Sequence, residues 1–219
     1  MNRICLSVIL QHEKNLTELI ESITKKKPDL VEFRLDHLKD SSPLERIANN
    51  KQFRIIATDK SNRNPSESMR MLLDAAQTGF DMVDVDLAHP YANQIIEGSK
   101  ARGVEVIVSH HDTTGTPPEE ALTKVLESQK AVGADICKIV TNATSMYDNL
   151  KILAFVNRTA QDARIVSFAM GKVGIASRVL SPIFGAEFTF AALGEDSKTA
   201  AGQLSIDELR EAWRILGIT

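Results

Sequence analysis

A lysine in the middle of an apolar run is the first residue that asks for a chemical explanation. Lys138 stands in Asp135-Ile136-Cys137-Lys138-Ile139-Val140. Burying an ammonium there is costly. Burial lowers the pKa of a lysine, and a neutral amine attacks carbonyl carbon to form a Schiff base. The competing reading is an ammonium paired to an interior carboxylate, or one that reaches out to a strand end. Side chains alternate along a strand, so Cys137 and Ile139 face away from Lys138.

Other polar residues repeat this placement. In Val31-Glu32-Phe33-Arg34-Leu35 the two charges share one face and the three apolar residues the other. Such an acid and base either neutralise each other as a structural pair or hydrogen-bond a polyhydroxy ligand. Asp84 and Asp86, in Val83-Asp84-Val85-Asp86-Leu87, put two carboxylates on one face, and one of them suits the orientation of a histidine. Ser109-His110-His111-Asp112 supplies adjacent histidines that face opposite ways, so at most one meets a common site. A histidine at a strand end is well matched to acid–base work near neutrality. Arg178 follows a seventh apolar run; its guanidinium suits a carboxylate, the alternative being a solvated helix arginine. The small, polar segment Gly194–Gln203 reads as a lid or as an ordinary exposed loop.

These residues need elements to carry them. Apolar, β-rich runs recur at Ile4–Leu10, Leu30–Leu35, Phe53–Ala57, Met82–Leu87, Val104–Ser109, Ile136–Thr141, Arg164–Ala169 and Phe184–Phe190, with amphipathic stretches between them. Continuous apolar runs suit parallel strands covered on both faces. Helix starts are written as Ser42-Pro43-Leu44-Glu45, Asn64-Pro65-Ser66-Glu67 and Thr116-Pro117-Pro118-Glu119, each a capping residue followed by proline and glutamate. Ser205-Ile206-Asp207-Glu208 is a capping box without proline, and Gly79, Gly103 and Gly133 stop helices just before strands. No nucleotide-binding glycine motif follows any run. The expected architecture is α/β, a single (β/α)₈ TIM barrel over residues 1–219, with function at the C-terminal strand ends.

A formal net charge of −3 gives no basic excess for nucleic acid, and no apolar stretch approaches a membrane span. Met1-Asn2-Arg3 and the short run behind it fall short of a signal peptide. Cys5 and Cys137, both in apolar runs, read as reduced buried thiols of a cytoplasmic protein. His12, His37 and His89 form no metal-ligand spacing.

Taken together, the motifs resemble the type I 3-dehydroquinate dehydratases over nearly the whole chain. Glu32-Phe33-Arg34-Leu35-Asp36 resembles that family's E-[WF]-R-x-D strand, and Ser109-His110-His111-Asp112 with Thr116-Pro117 its S-[YH]-H-D…TP segment. Asp135-Ile136-Cys137-Lys138 resembles the strand of the Schiff-base lysine, Met170-Gly171 through Ser177-Arg178 the M-G…G…SR segment, and Phe184-Gly185 with Gly202-Gln203-Leu204 the closing region. The resemblance implies conversion of 3-dehydroquinate to 3-dehydroshikimate, a step of aromatic amino-acid biosynthesis. It implies Lys138 as nucleophile, His111 as acid–base and Asp86 as the partner of His111. Ser7, Glu32, Arg34, Lys60, Arg178, Thr199 and Gln203 are implied as substrate contacts. It implies a homodimer and no metal, flavin or nicotinamide cofactor. Four positions depart from the pattern: Asp86 stands for Glu, Lys60 for Arg, Thr199 for Ser, and Ala201 for the proline before Gly202-Gln203. The first implies a longer or water-bridged contact to His111, and the last a looser lid. Readings from other classes are a class I aldolase barrel and a catalytically dead barrel used as a scaffold. An aldolase would want a phosphate site, and a decayed site would have lost some of Glu32, Arg34, His111 and Lys138.

Overall fold

The computed structural model describes residues 3–9, 16–49 and 51–218, apart from the side chain of Asp196. Leu10, expected to close the first strand, lies outside them, as do His12, Met1 and Asn2. Strands and helices alternate: β1 (Ile4–Ile9), α1 (Leu16–Lys26), β2 (Leu30–Arg34), α2 (Leu44–Asn49), β3 (Arg54–Thr58), α3 (Pro65–Thr78), β4 (Met82–Asp86), α4 (Ala92–Lys100), β5 (Glu105–His111), α5 (Glu119–Ala131), β6 (Ile136–Asn142), α6 (Met146–Thr159), β7 (Ile165–Met170), α7 (Ile175–Leu180), β8 (Thr189–Ala192) and α8 (Ile206–Ile215). All pairings are parallel, in the order β7-β6-β5-β4-β3-β2-β1-β8. The seam of the barrel falls between β7 and β8, where Glu187 N–H donates to Ile165 O at 2.8 Å. No helix among the described residues is long and apolar enough to cross a membrane.

The punctuation works largely as the sequence expects. Asn64 accepts a hydrogen bond from Ser66 N–H at 3.0 Å, with Pro65 opening α3. Ser205 and Glu208 exchange bonds of 3.2 and 2.8 Å at the start of α8. Gly79, Gly103 and Gly133 all take positive φ. Two expectations fail. Thr116 does not cap α5, which starts at Glu119 behind Pro118; its hydroxyl lies 2.8 Å from that of Thr141 and donates to Asn142 O at 3.2 Å, tying the loop to β6. The eighth strand starts at Thr189 rather than Phe184. Residues 181–185 form a turn closed by Gly185 N–H to Pro182 O, 3.2 Å, and Ala186 N–H to Ser181 O, 3.0 Å, so Phe184 is consumed in the turn and is exposed.

Alternation along the strands sorts side chains into an outside and an inside. Val31, Phe33, Ile55, Val83, Val85, Val106 and Val108 join the layer beneath the helices, as do Cys137 and Ile139 in a second patch. The opposite phase fills the interior with Cys5, Leu30, Ile56, Met82, Ile107, Ile136, Val166, Phe188 and Phe190. One step further along the same phase come Ser7, Glu32, Thr58, Asp84, Ser109 and Lys138, all buried. The apolar layer is therefore the floor on which a polar layer stands.

The opposite, N-terminal end is closed by charge. Asp29, Asp81 and Asp135 precede β2, β4 and β6, and each accepts the first free N–H of a neighbouring strand, from Ile4, Ile55 and Val106, at 2.8 Å. Arg54 and Arg164 flank Glu105, and Arg164 and Arg3 flank Glu187, forming a chain of ion pairs across that end.

Candidate active site

Lys138 sits in the middle of β6 with its ammonium in the interior polar layer. Its Nζ donates to Asp84 Oδ2 at 2.8 Å, lies 3.5 Å from Glu32 Oε1, and stands 4.3 Å from the centroid of the Phe190 ring. Burial opposes the charged amine, but the Asp84 and Glu32 carboxylates outweigh it and hold the pKa above the ordinary lysine value. Burial likewise opposes the charge on Asp84. Lys138 and Lys60 outweigh it and pull that carboxyl well below the usual range. Of the two readings of Lys138, the neutral amine gives way to the ammonium paired to interior carboxylates, because Asp84 and Glu32 are buried with it.

Glu32 and Arg34 do not form the mutual pair that their spacing suggested. Glu32 accepts hydrogen bonds from Ser7 Oγ at 2.5 Å and Thr58 Oγ1 at 2.9 Å. Arg34 forks onto Asp36, with Nε 3.2 Å from Oδ1 and an Nη donating to Oδ2. The chain leaves β2 through a helical turn at Leu35–His37, and this brings Asp36 back over the strand end. Burial works against the Arg34 charge and Asp36 overcomes it, so the guanidinium stays firmly charged.

His111 ends β5 with Nδ1 3.9 Å from Asp86 Oδ2, longer than a direct hydrogen bond. Burial pushes the imidazole below its ordinary pKa, against the opposing pull of Asp86. Asp86 itself accepts from Ala88 N–H at 3.0 Å, and its pKa falls to about 2; burial resists that fall, and His111 and Lys60 drive it. His110, in the opposite phase, does not line the pocket, as alternation requires.

Arg178 is the largest fully buried side chain of the described residues, not a solvated helix residue. Its guanidinium carbon lies 4.1 Å from the Phe168 ring centroid, and Nε and Nη2 have no hydrogen-bond partner among the described residues. Burial alone lowers its pKa to about 10. Two unsatisfied donors of a buried cation are what an anionic ligand would complete. Above them the 194–203 loop is seated. Gln203 is buried and its Oε1 accepts from Thr199 N–H at 2.7 Å and from Thr199 Oγ1 at 3.0 Å. Thr199 Oγ1 also approaches Ser7 Oγ, at 3.2 Å, which links the loop to Glu32. Gly171 N–H donates to Ala201 O at 3.1 Å, so the backbone at Ala201 is anchored.

The comparisons with known proteins decide what kind of enzyme this geometry serves. The sequence profile described as Type I 3-dehydroquinase matches residues 4–219. A relative named 3-dehydroquinate dehydratase from Pyrococcus abyssi is 34% identical over 210 residues, covering 93% of this chain and 94% of its own length. The chain belongs to the type I 3-dehydroquinase family. A second relative of the same name, from Dehalococcoides mccartyi, is 32% identical over 209 residues, covering 91% of this chain and 92% of its own. The solved 3-dehydroquinate dehydratase of Geobacillus kaustophilus superposes with a TM-score of 0.88 at 25% identity, covering 99% of this chain and 91% of that one. The chain is accordingly a (β/α)₈-barrel hydro-lyase.

Set against the type I 3-dehydroquinase motifs, the structure brings Ser7, Glu32, Arg34, Lys60, His111, Lys138, Arg178, Thr199 and Gln203 to one pocket. Asp86 stands behind His111 and lines a neighbouring depression with Lys60 and His89. Sequence reasoning did not single out Asp84 as the direct partner of Lys138, nor Ser109 and Thr58, which complete the polar layer. The signal was available, since all three lie in phase with site residues on their own or neighbouring strands. Phe168 and Phe190, the rings under the two buried cations, were legible only as core.

Proposed function

We propose that the chain converts 3-dehydroquinate to 3-dehydroshikimate and water through a Schiff base on Lys138. The observation that carries this reading is the interior Lys138 facing the same pocket as His111 and the Arg178 guanidinium, whose Nε and Nη2 have no partner among the described residues. Arg178 takes the substrate carboxylate, with Gln203 and Thr199 closing over that end. Glu32, Arg34 and Ser7 face the ring hydroxyls.

The ammonium of Lys138 first gives up a proton, with His111 as shuttle. The free amine adds to the ketone carbon, and loss of one water leaves an iminium. The iminium withdraws electrons from the adjacent carbon, so His111 removes a proton there and an enamine forms. Collapse of the enamine expels the β-hydroxyl, which takes the proton back from His111 and leaves as water. A second water adds to the imine and releases the ketone product and Lys138, so the net yield is one water. The Asp84 and Glu32 carboxylates that stabilise the ammonium also stabilise the iminium, which carries the same charge at the same nitrogen.

Residues 1–219 act as one barrel in this reading, located in the cytoplasm, where the buried free thiols of Cys5 and Cys137 stay reduced. Two copies associate as a homodimer, a pairing supported by the exposed Met146, Tyr147 and Leu150 on the first turns of α6.

The test is borohydride reduction of the protein with 3-dehydroquinate, followed by peptide mass spectrometry. A ligand adduct on the Lys138 peptide is expected, absent in Lys138→Ala. Dehydration without any adduct would overturn the covalent step. An absence of both would overturn the substrate and bring the aldolase reading forward.

A further inference from the structure

Lys60 does something the motif resemblance does not describe. The resemblance places it among the substrate contacts, as a lysine in an arginine position. Its backbone N–H is held by Asp36 Oδ1 at 3.1 Å, and Asp36 is fixed in turn by the fork from Arg34. That anchorage leaves the Lys60 side chain to run inward from the end of β3. Its Nζ donates to Ser109 Oγ at 2.7 Å and lies 3.2 Å from Asp84 Oδ1 and 3.5 Å from Asp86 Oδ2.

One ammonium therefore touches both carboxylates of β4. Asp84 is the partner of Lys138, and Asp86 stands beside His111. Lys60 is nearer to Asp86 than His111 is, 3.5 Å against 3.9 Å. The shorter Asp side chain leaves the carboxylate short of the imidazole and within reach of the lysine. Ser109 completes the bridge by donating to Asp84 Oδ1 at 2.6 Å.

We propose that Lys60 is a positioning residue, a cationic bridge between the Lys138–Asp84 and His111–Asp86 halves of the site, which acts through His111 by holding Asp86 and placing a second positive charge beside the imidazole. The charged groups facing His111 are Asp84 and Asp86 from β4, Lys138 from β6 and Lys60 from the loop after β3, with Glu32, Arg34 and Arg178 lining the same pocket. Two cations therefore stand close to the imidazole, and Lys60 is the one that also occupies Asp86. Its charge disfavours a proton on the ring twice over, directly and by engaging the carboxylate that would stabilise imidazolium. Burial is the largest cause of the lowered His111 pKa, and the charges of Lys138 and Lys60 add to it. A base held neutral is ready to take a proton from carbon.

The inference builds on the acid–base role proposed for His111, but its test uses the free protein and needs no turnover. The His111 resonance, assigned by its loss in His111→Ala, is titrated by NMR in wild type, Lys60→Gln and Lys60→Arg. The midpoint is expected to rise in Lys60→Gln, where the cation is gone, and to stay near wild type in Lys60→Arg. Lys60→Met provides a second uncharged variant should the Gln protein fail to fold. An unmoved midpoint in both uncharged variants overturns the proposal. So does a rise of equal size in Lys60→Arg, since the charge would not be the cause. With 3-dehydroquinate, Lys60→Gln is expected to lose kcat with KM little changed. A raised KM with kcat intact would return Lys60 to substrate binding.

Discussion

Arg178 is in an arrangement that the fold alone gives no reason to keep. The residue is 1% exposed, and its guanidinium stacks on Phe168 and leaves Nε and Nη2 without partners among the described residues. Each buried unsatisfied donor destabilises a protein by about 1–3 kcal/mol, and more when charged. A carboxylate bound there recovers that loss through charge-assisted bonds worth roughly 1.5–3 kcal/mol each. Arg178→Met should therefore do two opposite things. The KM for 3-dehydroquinate should rise about 10–100-fold, read from steady-state kinetics, the equivalent of one such bond. Urea unfolding without ligand should show a protein at least as stable as wild type. A variant that binds normally, or one that is strongly destabilised, would show that Arg178 serves the core instead. Burial was the part the sequence could not give. Arg178 lies in Ile175–Leu180, a short helix in which a charged residue reads equally well as solvated.

Among the elements, the 194–203 loop makes one close approach that only Gly202 permits. Gly202 has a φ of +73°, and a Cβ there would lie 2.2 Å from Gly171 O, a backbone atom that no side-chain adjustment can move away. The close approach lets Gly171 N–H reach Ala201 O and sets Gln203 into the pocket beside Thr199. Gly202→Ala should lift the loop, so kcat/KM falls while the melting temperature hardly changes, because the barrel's core layers lie beneath other elements. Unaltered kinetics would mean that the seated loop has no part in turnover. The same loop shows why helices and strands were more legible than their connections. Parity along β2, β4, β5 and β6 told which residues share the interior, and it held at Glu32, Asp84, His111 and Lys138. Where a residue sits between elements, as with Thr116 and Phe184, the outcome depended on which neighbour claimed it. Arg34 is the last residue of β2, and the turn that follows delivered Asp36 to it ahead of Glu32.

At the scale of the whole molecule, the barrel places its ionised groups at two levels, a chain of ion pairs across the N-terminal end and a buried cluster under the site. The cluster ties stability to pH in a way that can be separated from other carboxylates. Asp84 has its pKa depressed in the folded chain, chiefly by Lys138 and Lys60 acting against burial. Its contribution is complete above the unfolded value of about 3.9 and disappears as pH falls through the folded one. Lys138 has its pKa raised, with Asp84 and Glu32 overcoming burial. Its contribution is complete below the unfolded value of about 10.4 and is lost as pH rises through the folded one. The pair therefore stabilises the fold across a plateau from about pH 4 to about pH 10. Asp84→Asn should reduce the unfolding free energy by roughly 3 kcal/mol on that plateau, since it leaves a buried ammonium with less compensation. Carboxylates away from this cluster titrate equally in both proteins, so the difference between wild type and variant isolates the cluster. That difference, from urea unfolding at a series of pH values, should shrink at both ends of the range. A difference that stays constant into acid would mean that Asp84 acts by shape and hydrogen bonding, not as the counter-charge of Lys138.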